Sequence, residues 1–296
     1  MPSFKPFYAF PLASAIFFSH SLLAGPVAEW KFDQADEVTG GAEVKLDLAT
    51  SGAKGTSLLM DKSVVSAAPT ELGSGWKPFL STGFLESQRG STLGQHGLVT
   101  DLKPGDNTGS NYRAYMGFTG FGSGTAEDGK LEGGTIYLVV SPADWAPGAR
   151  YGLFGTGHAG EGAVALGIAK TGALTLRAGS QNGGASTAAV TQEWKPAAWY
   201  FVAGTWREGE PITLLVQEMS KDGPKAFSGA SVTATDPVPK LEQPQYDPIA
   251  IGANWYDPGD NPGTNDGANA RLAWARLDNN FSTEDEMKAV FQSLGK

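Results

Sequence analysis

The chain has 296 residues, enough for one large all-β domain or two small ones. Its 40 glycines and 18 prolines suit a loop-rich β fold better than a helical one, and a net charge of −9 favours solubility. Such acidity argues against nucleic acid or an anionic membrane as partner; it is compatible with neutral sugars, cations or basic ligands, and selects none of them.

From the N-terminus, Lys5 precedes an apolar run from Phe7 to Phe18, and small residues follow at Ala24 and Gly25. That order predicts an export signal over residues 1–24, cut after Leu22, Leu23 and Ala24. Two features depart from the usual pattern, the single lysine and the proline at Pro11. A retained anchor needs about 18 uninterrupted apolar residues, and this run is shorter. The expected mature chain, 25–296, is secreted, periplasmic or on the surface of a bacterium, with no membrane span after cleavage. The absence of cysteine rules out both a lipobox and a disulfide, so core packing must hold the domain, and a metal ion could aid it.

Val27 to Phe32 alternates as a first strand, expected at an edge or closing position beside the chain end. Residues 33–59 are polar and Gly-rich, with a weak strand from Glu43 to Leu48. Trp76 to Leu80 and Gly97 to Thr100 are short apolar islands between turn signals. The irregular stretch 103–134 holds one predicted strand, Tyr112 to Phe118. Gly134 to Ser141 is a strong strand whose composition predicts burial on both faces, broken by the segment Pro142 to Pro147. Three short strands follow, Tyr151 to Phe154, Ala163 to Ala169 and Ala173 to Ala178, the last two joined by a tight turn at Lys170, Thr171 and Gly172.

The centre of the pattern is Trp199 to Gln217. Alternation sets Trp199, Phe201 and Ala203 on one face and Tyr200, Val202 and Trp206 on the other, so both faces should be covered. Arg207 to Pro211 is polar, contains Gly209 and suits a hairpin loop into a second strand from Ile212. Further strands are predicted at Ser231 to Ala234, Pro248 to Gly252 and Arg271 to Leu277. In the last, alternation groups Leu272, Trp274 and Arg276 against Arg271, Ala273, Ala275 and Leu277. A single helix closes the chain, with Ser282 as predicted N-cap, Asp285 three residues on, Glu284 and Glu286 in the first turn, and a stripe of Met287, Val290, Phe291 and Leu294 packing downward.

A dozen short strands with Gly-rich connections and no repeat or linker predict one all-β domain, a β-sandwich or jelly roll with a short C-terminal helix. In their order, Glu29 to Asp33, Trp199 to Thr205, Ile249 to Asn254, and Arg271 to Leu277 followed by Phe281 to Glu286 resemble the laminin-G-like, concanavalin A-like jelly rolls of exported bacterial proteins. The resemblance covers most of the mature chain and is loose over 50–130. It implies a two-sheet antiparallel jelly-roll sandwich, a fold whose members bind glycans, peptides or calcium, decorate larger enzymes, or cleave polysaccharides, so the site must decide among them.

The glycosidase branch of that family carries Glu-x-Asp-x-Glu along one strand, which points the acids into one cleft. No such spacing occurs: Glu127, Asp128 and Glu132 sit in a Gly-rich loop, and Glu284 to Glu286 start a helix. A lyase needs a base with neutralising residues beside it. The mature histidines, His96 and His158, lie in Gly-rich turns and, far apart without cysteine, suggest no zinc site. Gly122, Ser123 and Gly124 do not make a nucleophile elbow.

The best candidate site is the loop 254–267. Asp257, Asp260 and Asp266, with Asn261 and Asn265, cluster hard oxygen donors of the kind calcium requires, without an EF-hand's closing Glu. Asn254, Trp255 and Tyr256 beside them offer a polar group and a stacking face for a sugar ring; Trp76 and Trp145, beside prolines, could extend it, but the expectation for both is burial. Plain turn chemistry explains the same residues. The leading expectation is a secreted glycan-binding or adhesive module without catalysis of its own. The alternatives are a polysaccharide lyase or hydrolase on the same fold and a protein-interaction module of the cell envelope.

Overall fold

The computed structural model describes residues 133–142, 150–156, 163–180, 184–241, 249–252, 270–278 and 280–295, the positions Trp145, Pro147, Gly148 and Ala268, and seven short strands before residue 118. Those strands are β1 (Ala28–Trp30), β2 (Val44–Leu46), β3 (Ala49–Gly52), β4 (Ser57–Met60), β5 (Val64–Ala67), β6 (Gly83–Ser87) and β7 (Tyr115–Gly117). There follow β8 (Gly133–Pro142), β9 (Tyr151–Thr156), β10 (Ala163–Ile168), β11 (Leu174–Ser180), β12 (Gly184–Val190), β13 (Tyr200–Arg207), β14 (Glu210–Glu218), β15 (Ala230–Pro237), β16 (Ile249–Ile251), β17 (Ala270–Asp278) and α1 (Glu284–Ser293). The predicted export signal and the apolar islands at Trp76 and Gly97 lie outside the described residues.

These strands form two antiparallel sheets, the jelly-roll sandwich with one short C-terminal helix that the pattern predicts. The first runs β15-β14-β13-β8-β17-β1-β3, with β6 also on β17 and β5 on β6; the second runs β12-β11-β10-β9-β16-β7-β4-β2. The start and end of the chain meet as expected, with Ala28 opposite Leu277 and Trp30 opposite Ala275. Strand β1 is not an edge, however, because β3 pairs along its other side.

Strand β13 lies between β8 and β14, and its two faces divide as the alternation requires. Tyr200, Val202 and Trp206 enter the core between the sheets with Phe154, Leu166, Leu176 and Leu214. Trp199, Phe201 and Ala203 point the other way, into a second cluster with Tyr137, Val139, Trp274, Met287 and Phe291, which α1 covers. All ten residues of β8 are buried, which is why its composition is apolar on both faces. The hairpin is tighter than expected: Arg207 already pairs with Glu210, leaving Glu208 and Gly209 as the turn, with Gly209 at φ +79°.

In β17 strict alternation fails. The register slips between Leu272 and Trp274, which face the consecutive β8 residues Val140 and Val139. The extra residue, Ala273, is a β-bulge that moves Leu272 onto the inter-sheet core with Ala275 and Leu277, while Trp274 joins the cluster under α1. The helix cap is shifted too: Thr283, not Ser282, is the N-cap, and with Glu286 it completes a capping box. The predicted stripe holds, with Met287, Phe291 and Leu294 buried and Val290 packed beside them.

Strand β12 carries no sequence expectation because its inward residues, Ser186, Ala188 and Val190, are small. It forms the edge of the second sheet and lies against β15, the edge of the first, where the Ser186 hydroxyl donates to the Asp236 carbonyl at 2.6 Å. A narrow sandwich margin has no room for large side chains, so the usual apolar signal is missing there.

Candidate functional site

The two sheets differ in what covers their outer faces. The outer face of the first is closed by α1, and Tyr137, Trp199, Phe201 and Trp274 beneath it are at most 1% exposed. Over β10, β11 and β12 no described element covers the outer face of the second. Leu174, Leu176 and Ala178 point into the core, so the alternate residues Thr175 and Arg177 point outward and are half-buried. Pairing places Ala165 on one side of Arg177 and Thr187 on the other, and Gly167 and Ala189 on either side of Thr175. Thr187 and Ala189 are exposed, and Ala165 and Ala185 are half-buried. The result is a level surface of short side chains with one guanidinium on it. The Thr175 hydroxyl donates to the Gly167 carbonyl at 3.2 Å, so its oxygen still has accepting capacity toward solvent.

The sequence singled out none of these residues. The available signal was the Leu-Thr-Leu-Arg-Ala alternation from Leu174 to Ala178, which marks an outward Arg but says nothing of its neighbours on β10 and β12.

Asn254, Trp255, Tyr256, Asp257, Asp260 and Asp266 lie outside the described residues, as do Trp76, His96, His158 and the acids Glu127, Asp128 and Glu132. The two residues that bracket the 254–267 loop are described. Gly252 donates to the Leu153 carbonyl at 2.8 Å, and Ala268 donates to the Gly252 carbonyl at 2.7 Å, so the loop leaves and re-enters the sandwich at one buried point. Trp145 seals that point: its indole N–H donates to the Ala268 carbonyl at 2.5 Å, and its ring meets Trp194 edge-on at 4.8 Å. At 6% exposure Trp145 is a wall of the core, not an extension of a sugar-stacking face. Among the described residues no three acidic, His or Cys side chains converge as metal ligands, and no helix is long and apolar enough to cross a membrane.

A second polar group lies beneath the N-terminus of α1. The Ser282 amide donates to the hydroxyl oxygens of Thr135 at 3.0 Å and Thr205 at 3.1 Å, and the Tyr137 hydroxyl donates to Ser282 Oγ at 3.1 Å. Alongside, Arg276 Nε and Nη2 donate to the two carboxylate oxygens of Asp278 at 2.7 and 2.9 Å, and its guanidinium stands 5.5 Å from the Tyr137 ring centre. A Tyr beside an Arg is what a lyase would need. Burial nevertheless pushes the Tyr137 hydroxyl up to about 12, so it stays protonated, and at 1% exposure no polymer reaches it. The same burial raises the Asp278 carboxyl above its ordinary value, against the pull of Arg276. This group ties the end of the chain to β8 and β13 rather than performing chemistry.

No protein-family model and no curated protein matches the chain. Among solved structures it is similar to the IT-sialidase CBM40 of Ruminococcus gnavus, at 14% identity over 56% of this chain and 88% of that one, with a TM-score of 0.40. The same domain bound to alpha2,3 sialyllactose gives the same identity and TM-score. Similarity to botulinum neurotoxin type C, from a study of cell entry dependent on two ganglioside molecules, is 11% identity at a TM-score of 0.39. There the alignment covers 55% of this chain and 36% of the toxin chain, little more than a third of its length. At these values none of them bears on what this chain binds.

Proposed function

We propose that the chain is an exported glycan-binding module whose ligand lies on the outer face of β10, β11 and β12. The observation that carries this reading is the asymmetry of the sandwich: one outer face is closed by α1, while the other presents Thr175, Arg177 and Thr187 among Ala165, Ala185 and Ala189. Short side chains let a flat, hydroxyl-rich ring approach the sheet, where the threonine hydroxyls can exchange hydrogen bonds with it. The 254–267 loop is a second contact in this reading, since Asn254, Trp255 and Tyr256 are residue types that hydrogen-bond to and stack on a sugar, and Asp257, Asp260 and Asp266 are oxygen donors of the kind calcium takes. The leader over 1–24 delivers the module outside the cytoplasm.

The test is a polysaccharide array read for retention and for newly formed reducing or unsaturated ends. Retention without new ends supports a binder. New ends would replace it with the enzyme reading, and no retention would leave the envelope-interaction reading. For the metal, adding a calcium chelator should lower the melting temperature; an unchanged melt removes calcium from the proposal.

A further inference from the structure

Resting on the glycan reading above, we propose that the ligand is an anionic saccharide and that Arg177 receives its carboxylate or sulfate group.

The other described arginines are all engaged. Arg207 meets Glu210 at 3.2 Å, Arg276 grips Asp278, Arg271 donates to Ser141 at 2.9 Å and lies 5.0 Å over the Trp199 ring, and Arg150 also has a partner. Arg177 has none among the described residues. The positions where a cross-strand partner would sit are Ala165 on β10 and Thr187 on β12, and along its own strand the outward neighbours are Thr175 and Gly179. None of these can accept a salt bridge. In a chain with 31 acidic against 22 basic residues, an acid-free surround for a half-buried guanidinium is not the default arrangement.

Opposite charges usually meet across neighbouring strands, and here that place is held by a methyl group and a hydroxyl. No described residue engages the guanidinium, so it can act as a fork, the geometry that takes both oxygens of a carboxylate or two of a sulfate. Thr175, two residues along the strand, and Thr187, directly across on β12, would meet the ring hydroxyls beside that group. The acidity of the chain as a whole opposes an anionic ligand at long range. That opposition is screened within about 8 Å at physiological salt, so the local fork decides.

The experiment is titration calorimetry of the full mature chain with matched pairs: polygalacturonate and its methyl ester, dextran sulfate and dextran, sialyllactose and lactose. The charged member of at least one pair should bind and its neutral counterpart should not, and the pair that responds identifies the anion. Arg177→Gln should then weaken binding by about tenfold or more with an unchanged melting temperature. Arg177→Lys should restore part of it, and Lys221→Gln, an exposed lysine outside β10–β12, should leave affinity unchanged. Equal binding of charged and neutral members, or binding indifferent to Arg177→Gln, overturns this inference and leaves the glycan reading standing. No binding to any saccharide overturns both.

Discussion

The indole N–H of Trp274 donates to the Glu29 carboxylate at 2.7 Å, joining residues 245 positions apart in the chain. Trp274 is 1% exposed and sits on the cluster under α1, so this hydrogen bond holds β1 against β17 at the place where the chain closes on itself. Glu29→Ala removes the acceptor and leaves a buried indole N–H without it. The expected loss is about 1–3 kcal/mol in urea unfolding, with faster amide exchange concentrated in β1 and β17. Glu29→Gln keeps an acceptor and should cost clearly less.

Tyr137 gives the fold a dependence on alkaline pH. Burial raises its hydroxyl from 10.0 to about 12, so the folded chain keeps a proton that the unfolded chain releases earlier. That contribution is complete below about pH 10 and is lost as pH rises through the folded value. Urea midpoints of the native chain should therefore fall between pH 10 and 12, with tyrosinate absorbance from Tyr137 appearing only on unfolding. Tyr137→Phe should flatten that fall, at a cost of about 1 kcal/mol at neutral pH.

Ser282 and Thr283 are adjacent hydroxyl residues with separate tasks. Thr283 Oγ1 accepts from the Glu286 amide at 3.3 Å and caps the helix, while Ser282 is buried and accepts from Tyr137. Thr283→Ala should cost about 1 kcal/mol and speed exchange in the first turn of α1. Ser282→Ala should cost about 1–3 kcal/mol by stranding the buried Tyr137 hydroxyl, without fraying the helix start. Equal exchange in the first turn of both variants would refute this division.

Two glycines should fail for different reasons. A Cβ on Gly134 would stand 2.7 Å from the buried ring of Trp206, and that ring cannot turn away within a packed core. Gly134→Ala should cost about 1–3 kcal/mol through overpacking. Gly209 has open space around it and a φ of +79°, so Gly209→Ala should cost about 1–2 kcal/mol through the backbone alone. Gly209→Asn, better tolerated at positive φ, should recover part of that, and thermal melts of the three variants check the order.

Local periodicity carried much of this fold into the sequence. Trp199 to Ala203 divides between two clusters because neighbouring side chains on a strand must point to opposite faces, and β8 is apolar throughout because both its faces are covered. The stripe from Met287 to Leu294 and the meeting of the first and last strands were legible for the same reason. What the sequence could not decide is set by residues distant along the chain. The bulge at Ala273 exists because β17 must match the register of β8, the smallness of β12 reflects the edge β15 beside it, and Ser282 leaves the cap to Thr283 because its hydroxyl accepts from Tyr137 and its amide is held by Thr135 and Thr205. The isolation of Arg177 belongs to this second class. A strand pattern shows only that it points outward; three separate segments, brought side by side by backbone hydrogen bonds, determine that among the described residues no cross-strand neighbour can neutralise its charge.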